Sequence, residues 1–250
     1  MMHSFLLIGQ SNAAGRGFAN EVEPIVNDKI KVLRNGRWWP MYVPVNPDRV
    51  TSGISLIESF VDLYSKQKNV DVGIIPCADG GTSLDQWSVG GLLFDHACYM
   101  AELASRTSTI AGVLWHQGES DCEEEKYPLY EQKFTKILNA FKEKLNLNDV
   151  PFLLGGLGDY LEFCPRGERF KNYVHVNSAL KEVAKNNKMT GFVSAEGLKS
   201  NPDYLHFSAK ALREFGERYY AEFLKLEDKN KIFTEKDLWG AKIQSDLEKL

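Results

Sequence analysis

The chain has 250 residues, enough to bury one large core, and its 43% hydrophobic and 26% charged residues are ordinary globular values, which excludes disordered and fibrous classes. Its formal net charge of -4 argues against a general binder of the phosphate backbone, so nucleic acid is not an expected partner. Cys77, Cys98, Cys122 and Cys164 are scattered, with no CxxC pair and no metal-like spacing against the histidines, and they read as reduced thiols.

The start, Met1-Met2-His3-Ser4, has no basic leader, and the apolar run Phe5-Leu6-Leu7-Ile8 is shorter than a signal-peptide core or a membrane span, so a cytoplasmic protein without membrane attachment is expected. That run suits a fully buried strand ending at Gly9, which sets Gln10-Ser11-Asn12 just past its C-terminal end. Ligands in open α/β sheets bind at this edge, although on position alone a Ser11 that only caps a following helix is the more ordinary reading. Residues 18–52 interrupt the pattern, and the stretch from Lys31 to Trp39 reads as a hairpin around Asn35-Gly36, an insertion over the first strand's end. Trp38 and Trp39 there could stack on a sugar or simply pack the hairpin down.

Beyond it, Ser52 or Ser55 caps a helix carrying Leu56, Ile57, Phe60, Val61 and Tyr64 at helical spacing. Val72 to Pro76 is strand-like, Leu92 to Arg106 helical, and Ile110 to Trp115 strand-like. Pro128 opens a long helix with Tyr130, Phe134, Ile137, Leu138, Phe141 and Leu145 on one face. A strand at Val150 to Leu154, a helix at Val174 to Asn186 and a strand at Thr190 to Ser194 follow, and Ser208 caps a helix through Phe215, Tyr219 and Phe223. The alternation predicts one α/β domain over residues 1–225, with a mainly parallel five-stranded sheet and helices on both faces. From Leu226 the sequence turns Lys- and Glu-rich, an appended arm over 226–250 that packs on the domain's back or on a second copy in a homo-oligomer.

A doubly wound sheet gathers the residues that follow its strands. Here they are Gln10-Ser11-Asn12, Asp79-Gly80-Gly81-Thr82, His116-Gln117-Gly118-Glu119-Ser120-Asp121 and, past the last strand, Asp203-Tyr204-Leu205-His206. Together they hold a nucleophile, backbone donors, an amide, carboxylates and an imidazole, the set needed for acyl transfer. Residues three apart in a turn face one side, so the Asp203 carboxylate can orient His206 while the imidazole takes the Ser11 proton. Glu119 is the alternative acid, or else steadies the Gln117 loop. Gly80 and Gly81 let the backbone approach a ligand or simply make a tight turn, and with the Ser11 N–H and the Gln117 amide they offer an oxyanion hole. His3, His96, His116 and His175 lack the carboxylate spacing of His206, and Trp87 is either a sugar wall or a core residue.

Gly9-Gln10-Ser11-Asn12, Gly80-Gly81-Thr82, Trp115-His116-Gln117-Gly118-Glu119-Ser120-Asp121 and Asp203-Tyr204-Leu205-His206-Phe207 resemble, in this order, the motifs of the SGNH hydrolases, and more narrowly of sialate O-acetylesterases and acetylxylan esterases. The resemblance covers roughly residues 4 to 224. It implies a three-layer α/β/α sandwich and a triad of Ser11, His206 and Asp203 with no metal or other cofactor. The oxyanion hole would comprise the Ser11 N–H, a glycine N–H at 80–81 and the Gln117 side chain, which stands where most SGNH enzymes use asparagine. Ala13 stands where this branch often has methionine. The implied substrate is an acetylated carbohydrate, a xylan fragment, an oligosaccharide or a sialic acid, with lipid or general short-chain esters and a non-catalytic carbohydrate binder as alternatives.

Overall fold

In the computed structural model, which describes residues 2–247 and the side chains of residues 2–228, seven strands form one sheet: β1 (Met2–Gly9), β2 (Ile30–Arg34), β3 (Arg37–Pro40), β4 (Val72–Pro76), β5 (Ser108–His116), β6 (Phe152–Gly155) and β7 (Thr190–Val193). Their spatial order is β3-β2-β4-β1-β5-β6-β7, and every pairing is parallel except β2 with β3. β1 lies in the middle and is buried from Ser4 to Gly9, which is why it reads as an unbroken apolar run rather than an alternating one. After β1 the chain builds β4 on one side and then β5 on the other, so the end of β1 is the point where the winding reverses and a crevice opens.

The five expected strands are present, but the sheet has seven, because the hairpin joins it. β2 runs parallel to β4 with Ile30 against Val72 and Val32 against Ile74. The hairpin thus extends the sheet instead of covering the end of β1. Without it the β4 edge would carry unpaired backbone groups beside a buried face. Asn35 and Gly36 turn the hairpin with φ of 48° and 74°, the left-handed pair that a two-residue loop of this type requires.

Among the described residues six α-helices flank the sheet: α1 (Ser11–Ala14), α2 (Leu56–Lys68), α3 (Leu92–Ala104), α4 (Tyr130–Lys144), α5 (Tyr173–Asn186) and α6 (Ala209–Leu247). Adjacent residues of a strand point to opposite faces, and β5 displays both layers: Trp115 packs on Phe134 of α4, whereas His116 packs on Phe215 of α6. α2 and α6 lie together on the second face, where Phe5 meets Phe60, Tyr64 and Phe223 edge-on with ring centres 4.7–5.9 Å apart. Truncating such a ring costs about 3–5 kcal/mol. Ser55, rather than Ser52, starts α2, through a capping box with Glu58. α6 runs unbroken past Leu226, and beyond residue 228 the side chains of the expected arm lie outside the described residues.

Candidate active site

β1 ends in a close approach to β5. A Cβ on Gly9, whose φ is +126°, would sit 2.0 Å from the His116 carbonyl oxygen, so only glycine lets the Gln10 N–H bond that oxygen at 2.8 Å. The chain then turns at once into α1, and Ser11 faces the crevice. Its hydroxyl does not cap the helix; it lies 3.1 Å from His206 Nε2.

His206 is held by a loop that closes on itself through the Asn201 N–H to His206 carbonyl bond of 2.7 Å and the Ser208 N–H to Lys199 carbonyl bond of 3.0 Å. Inside this loop Asp203 Oδ1 accepts the backbone N–H groups of Leu205 and His206, each at 3.0 Å, while Oδ2 lies 2.6 Å from His206 Nδ1. One carboxylate thereby fixes both the backbone turn and the ring. Nδ1 facing an ionised oxygen carries the proton, which leaves Nε2 to accept from the Ser11 hydroxyl. Burial alone would raise the Asp203 pKa, but the bonds to the His206 ring and to the His206 and Leu205 N–H groups outweigh it and hold the carboxyl well below the usual carboxylate range.

The structure brings Gly80 and Gly81 to the same cleft and separates their roles. The Gly80 N–H donates to Asp48 Oδ2 at 2.8 Å, whereas the Gly81 N–H has no bonded partner among the described residues, and φ at Gly81 is +79° with open space where a Cβ would be. Asp48 is itself clamped by Arg16 in a buried, two-pronged pair at 2.7 and 3.0 Å. Breaking such a pair from one side costs about 3–5 kcal/mol because it strands a buried charge.

Gln117 lies below the cleft rather than in it. Its amide nitrogen donates to the Thr82 carbonyl at 3.1 Å and to Asp121 Oδ2 at 2.5 Å, its amide oxygen accepts from Tyr130, and it is fully buried. Both amide hydrogens are committed, so this geometry does not present Gln117 as an oxyanion donor. Instead it ties the Gly80-Gly81 loop to the turn after β5. Asp121 reinforces the tie by accepting the Leu84 N–H at 3.0 Å, and Trp87, fully buried against Trp115, donates to Thr82 Oγ1 at 3.0 Å. Trp87 is therefore a core residue. Trp38 also packs, its indole N–H reaching Thr107, and neither Trp38 nor Trp39 lines the cleft.

Glu119 does border the cleft, but its Oε1 accepts from Asn12 Nδ2 at 2.5 Å and no bond joins it to His206. Asn12 stands in the strand-end motif, where the sequence alone assigns it no role. Its amide also donates to the Leu205 carbonyl at 3.2 Å and accepts the Phe207 N–H at 3.1 Å, so it pins the His206 loop beside the start of α1. His116 is fully buried, with Nε2 3.1 Å from the Gly156 carbonyl, and serves packing.

The cleft over these groups has a volume of about 340 Å³ and is lined by Gln10, Ser11, Gly80, Gly81, Glu119 and His206 at its base and by Arg16, Arg49, Arg166 and Arg169 around it. An ester carbonyl set against Ser11 Oγ would have the imidazole on one side and the free Gly81 N–H on another. No helix among the described residues is long and apolar enough to cross a membrane.

Comparison with known proteins gives the family and the fold. The probable carbohydrate esterase At4g34215 of Arabidopsis thaliana is 27% identical over 241 residues, which span 85% of this chain and 86% of that protein. Its crystal structure superposes with a TM-score of 0.79 at 24% identity, covering 89% and 98% of the two chains. NanS follows at a TM-score of 0.73 and 18% identity, with 91% and 98% covered, and Axe2, an acetyl-xylooligosaccharide esterase from Geobacillus, at 0.53 and 13%, with 89% and 93% covered. At these identities the likeness of structure speaks to a shared fold. Residues 1–225 match the family described as carbohydrate esterase, sialic acid-specific acetylesterase, and the chain belongs to that family.

Proposed function

We propose that the protein is a serine esterase that removes O-acetyl groups from a carbohydrate through an acyl-enzyme. The observation that carries this reading is the continuous chain Asp203 Oδ2, His206 Nδ1, His206 Nε2 and Ser11 Oγ, with steps of 2.6 and 3.1 Å, at the base of an open cleft. Membership of a carbohydrate esterase family supports the substrate class.

Ser11 Oγ attacks the acetyl carbonyl as its proton passes to His206 Nε2, and the imidazolium is stabilised by the ionised Asp203. The oxygen that becomes negative is met by the N–H groups of Ser11 and Gly81, the first at the start of α1, where no earlier turn supplies an acceptor. His206 returns the proton to the departing sugar oxygen. Water then adds to the acyl carbon with the same base, and acetate leaves. Asn12 and Gln117 act as positioning residues, one for the imidazole loop and one for the glycine turn.

A panel of p-nitrophenyl esters of increasing chain length, run beside acetylated sugars, tests the reading. Acetyl is expected to be fastest, since each methylene that a site cannot house costs on the order of 1–3 kcal/mol. An octanoyl ester turned over faster than acetyl would replace the sugar esterase by a lipid esterase.

A further inference from the structure

We infer that the segment after the hairpin, Asn46 to Arg49, holds the glycine turn beside Ser11 in its working orientation, and that Arg49 does so as a positioning residue by fixing the peptide between Gly80 and Gly81. The inference rests on the esterase reading above and gives a task to part of the 18–52 insertion, which that reading leaves without one.

Every backbone N–H and carbonyl from Ala78 to Gly80 is engaged. Asn46, itself buried, donates from its amide to the Ala78 carbonyl at 2.9 Å and accepts the Ala78 N–H at 3.0 Å, so one side chain pairs with that residue as a neighbouring strand would. The Asp79 N–H goes to the Gly9 carbonyl at 3.0 Å, and the Asp79 carbonyl accepts from Thr82 Oγ1 at 2.7 Å. Asp48 takes the Gly80 N–H, and the Arg49 guanidinium donates to the Gly80 carbonyl at 3.1 Å. That guanidinium also donates to the Asp48 carbonyl at 2.8 Å and lies 2.8 Å from Asp79 Oδ1. Ser52 Oγ accepts the Arg49 N–H at 3.1 Å and donates to Asp48 Oδ1 at 2.8 Å, so Arg49 is set by its own loop before it reaches the glycines.

The carbonyl and the N–H of a trans peptide point in opposite directions. A guanidinium that draws the Gly80 carbonyl to one side therefore turns the Gly81 N–H to the other, where it is free to meet the oxygen of a tetrahedral intermediate. This peptide needs such a hold more than most. It lies between two glycines, so no Cβ hinders its rotation, and Gly81, with φ of +79°, has open space where a side chain would be. Rotated by half a turn, it would set a carbonyl oxygen where the donor belongs, next to the nucleophile: a Cβ on Gly80 would lie 3.5 Å from the Ser11 Cβ. The same added Cβ would fall 2.5 Å from an Arg16 nitrogen and 2.9 Å from Asp48 Oδ2, so glycine is also what lets the clamp close on the turn. Arg16 follows α1, and its pair with Asp48 ties the turn that carries Ser11 to the turn that carries Gly81.

Arg49→Ala tests the assignment, since the side chain is 51% exposed and its removal leaves the core untouched. On p-nitrophenyl acetate, which carries no sugar, and on an acetylated sugar alike, kcat is expected to fall by about 10- to 100-fold with KM little changed, less than the roughly 10²–10³-fold that follows when an oxyanion donor is removed outright. Affinity for methylboronic acid, which forms a tetrahedral adduct on a serine hydroxyl, should fall by the same factor, and Arg49→Lys should recover part of both while the urea midpoint stays in place. A loss confined to the sugar ester and carried by KM would make Arg49 a substrate contact and overturn the inference, as would an unchanged kcat on both esters. Should the wild-type protein hydrolyse neither ester, the esterase reading fails, and the hold on the peptide is then read from the Gly81 amide by NMR. A displaced or exchange-broadened Gly81 resonance in Arg49→Ala upholds that hold, and an unmoved one overturns it.

Discussion

The base of the cleft and its rim are built on opposite principles. At the base, Ser11, His206 and Asp203 have side chains tied to one another, and Asn12, Gln117, Glu119 and Asp121 lock the turns that carry them in a buried network. At the rim, Arg49, Arg166 and Arg169 stand exposed on segments between the main helices and strands, the first and last paired with Asp79 and Glu123. The base therefore has one arrangement, set by strand register, and the rim has a charge pattern that loops can change without disturbing the sheet. On the esterase reading, chemistry belongs to the base and, Arg49 excepted, selectivity to the rim, and substitutions should divide accordingly between kcat and KM.

The sharpest break in that division comes from Ser11→Ala, expected to lower kcat on an acetyl ester by on the order of 10⁶-fold with unchanged circular dichroism. Turnover persisting in that protein would remove the acyl-enzyme from the base of the cleft. Asp203→Asn follows at roughly 10⁴-fold in kcat, because the amide favours the wrong imidazole tautomer, and KM should barely move. Glu119→Gln, which keeps the shape and can still accept from Asn12, should cost far less. If Glu119→Gln proved the more damaging of the two at the pH optimum, the acid would have been assigned to the wrong side of the cleft.

Gln117→Ala sharpens the comparison from within the base. As a brace, its loss should lower stability by about 1–3 kcal/mol, leaving Asp121 with the Leu84 N–H but without the Gln117 amide, while kcat falls modestly through a looser Gly81 turn. Urea unfolding and kcat measured on the same preparation separate this from an oxyanion role, where kcat would fall by about 10²–10³-fold in a protein of native stability.

The smallest expected effect concerns pH. Burial holds the His116 imidazole below its ordinary range against the opposing Glu119 carboxylate, and burial likewise lowers His3. A folded-state pKa below the unfolded value of roughly 6.5 means that the unfolded chain takes up protons first as pH falls, so the stability present above that pH is lost below it. The urea midpoint should therefore decline from about pH 6.5 downwards, ahead of the lower window in which Asp48 and Asp203, both depressed, begin to protonate. A decline that survives in His3→Asn assigns it to His116, and a flat midpoint between pH 7 and 5 would show that His116 titrates alike in both states.

The base was legible in the sequence because each of its parts follows a strand end, and strand ends are visible as apolar runs stopping at Gly9, Pro76 and His116. The Asp203 and His206 spacing was legible for a local reason, since one turn brings them together. The sheet's full width was not, because whether Ile30 to Arg34 pairs with β4 or folds over β1 depends on a long-range contact that hairpin chemistry does not encode. Gln117 misled for a similar reason: a terminal amide after a strand looks like a donor to ligand, and only the positions of Asp121 and Thr82 reveal that its hydrogens are spent inside. Nothing marks Arg166, in Cys164-Pro165-Arg166-Gly167, as a neighbour of Ser11, since loops far apart in sequence meet only in the folded chain.

The hydroxyl of Ser11 and the ring nitrogen it faces are 195 positions apart, one just past β1 and the other in the segment before α6. A ribosome that has added Ser11 must add 195 more residues before it reaches the imidazole that the proposed mechanism pairs with it. At synthesis speeds of roughly 5–20 residues per second, that interval lasts on the order of ten seconds or more. During it the serine is an ordinary alcohol, unable to attack the esters around it. Hydrolysis thus becomes a late signal of completed assembly: in a refolding experiment it should return only with the docking of the 199–208 loop, after the sheet's central strands have already gained their protection from hydrogen exchange.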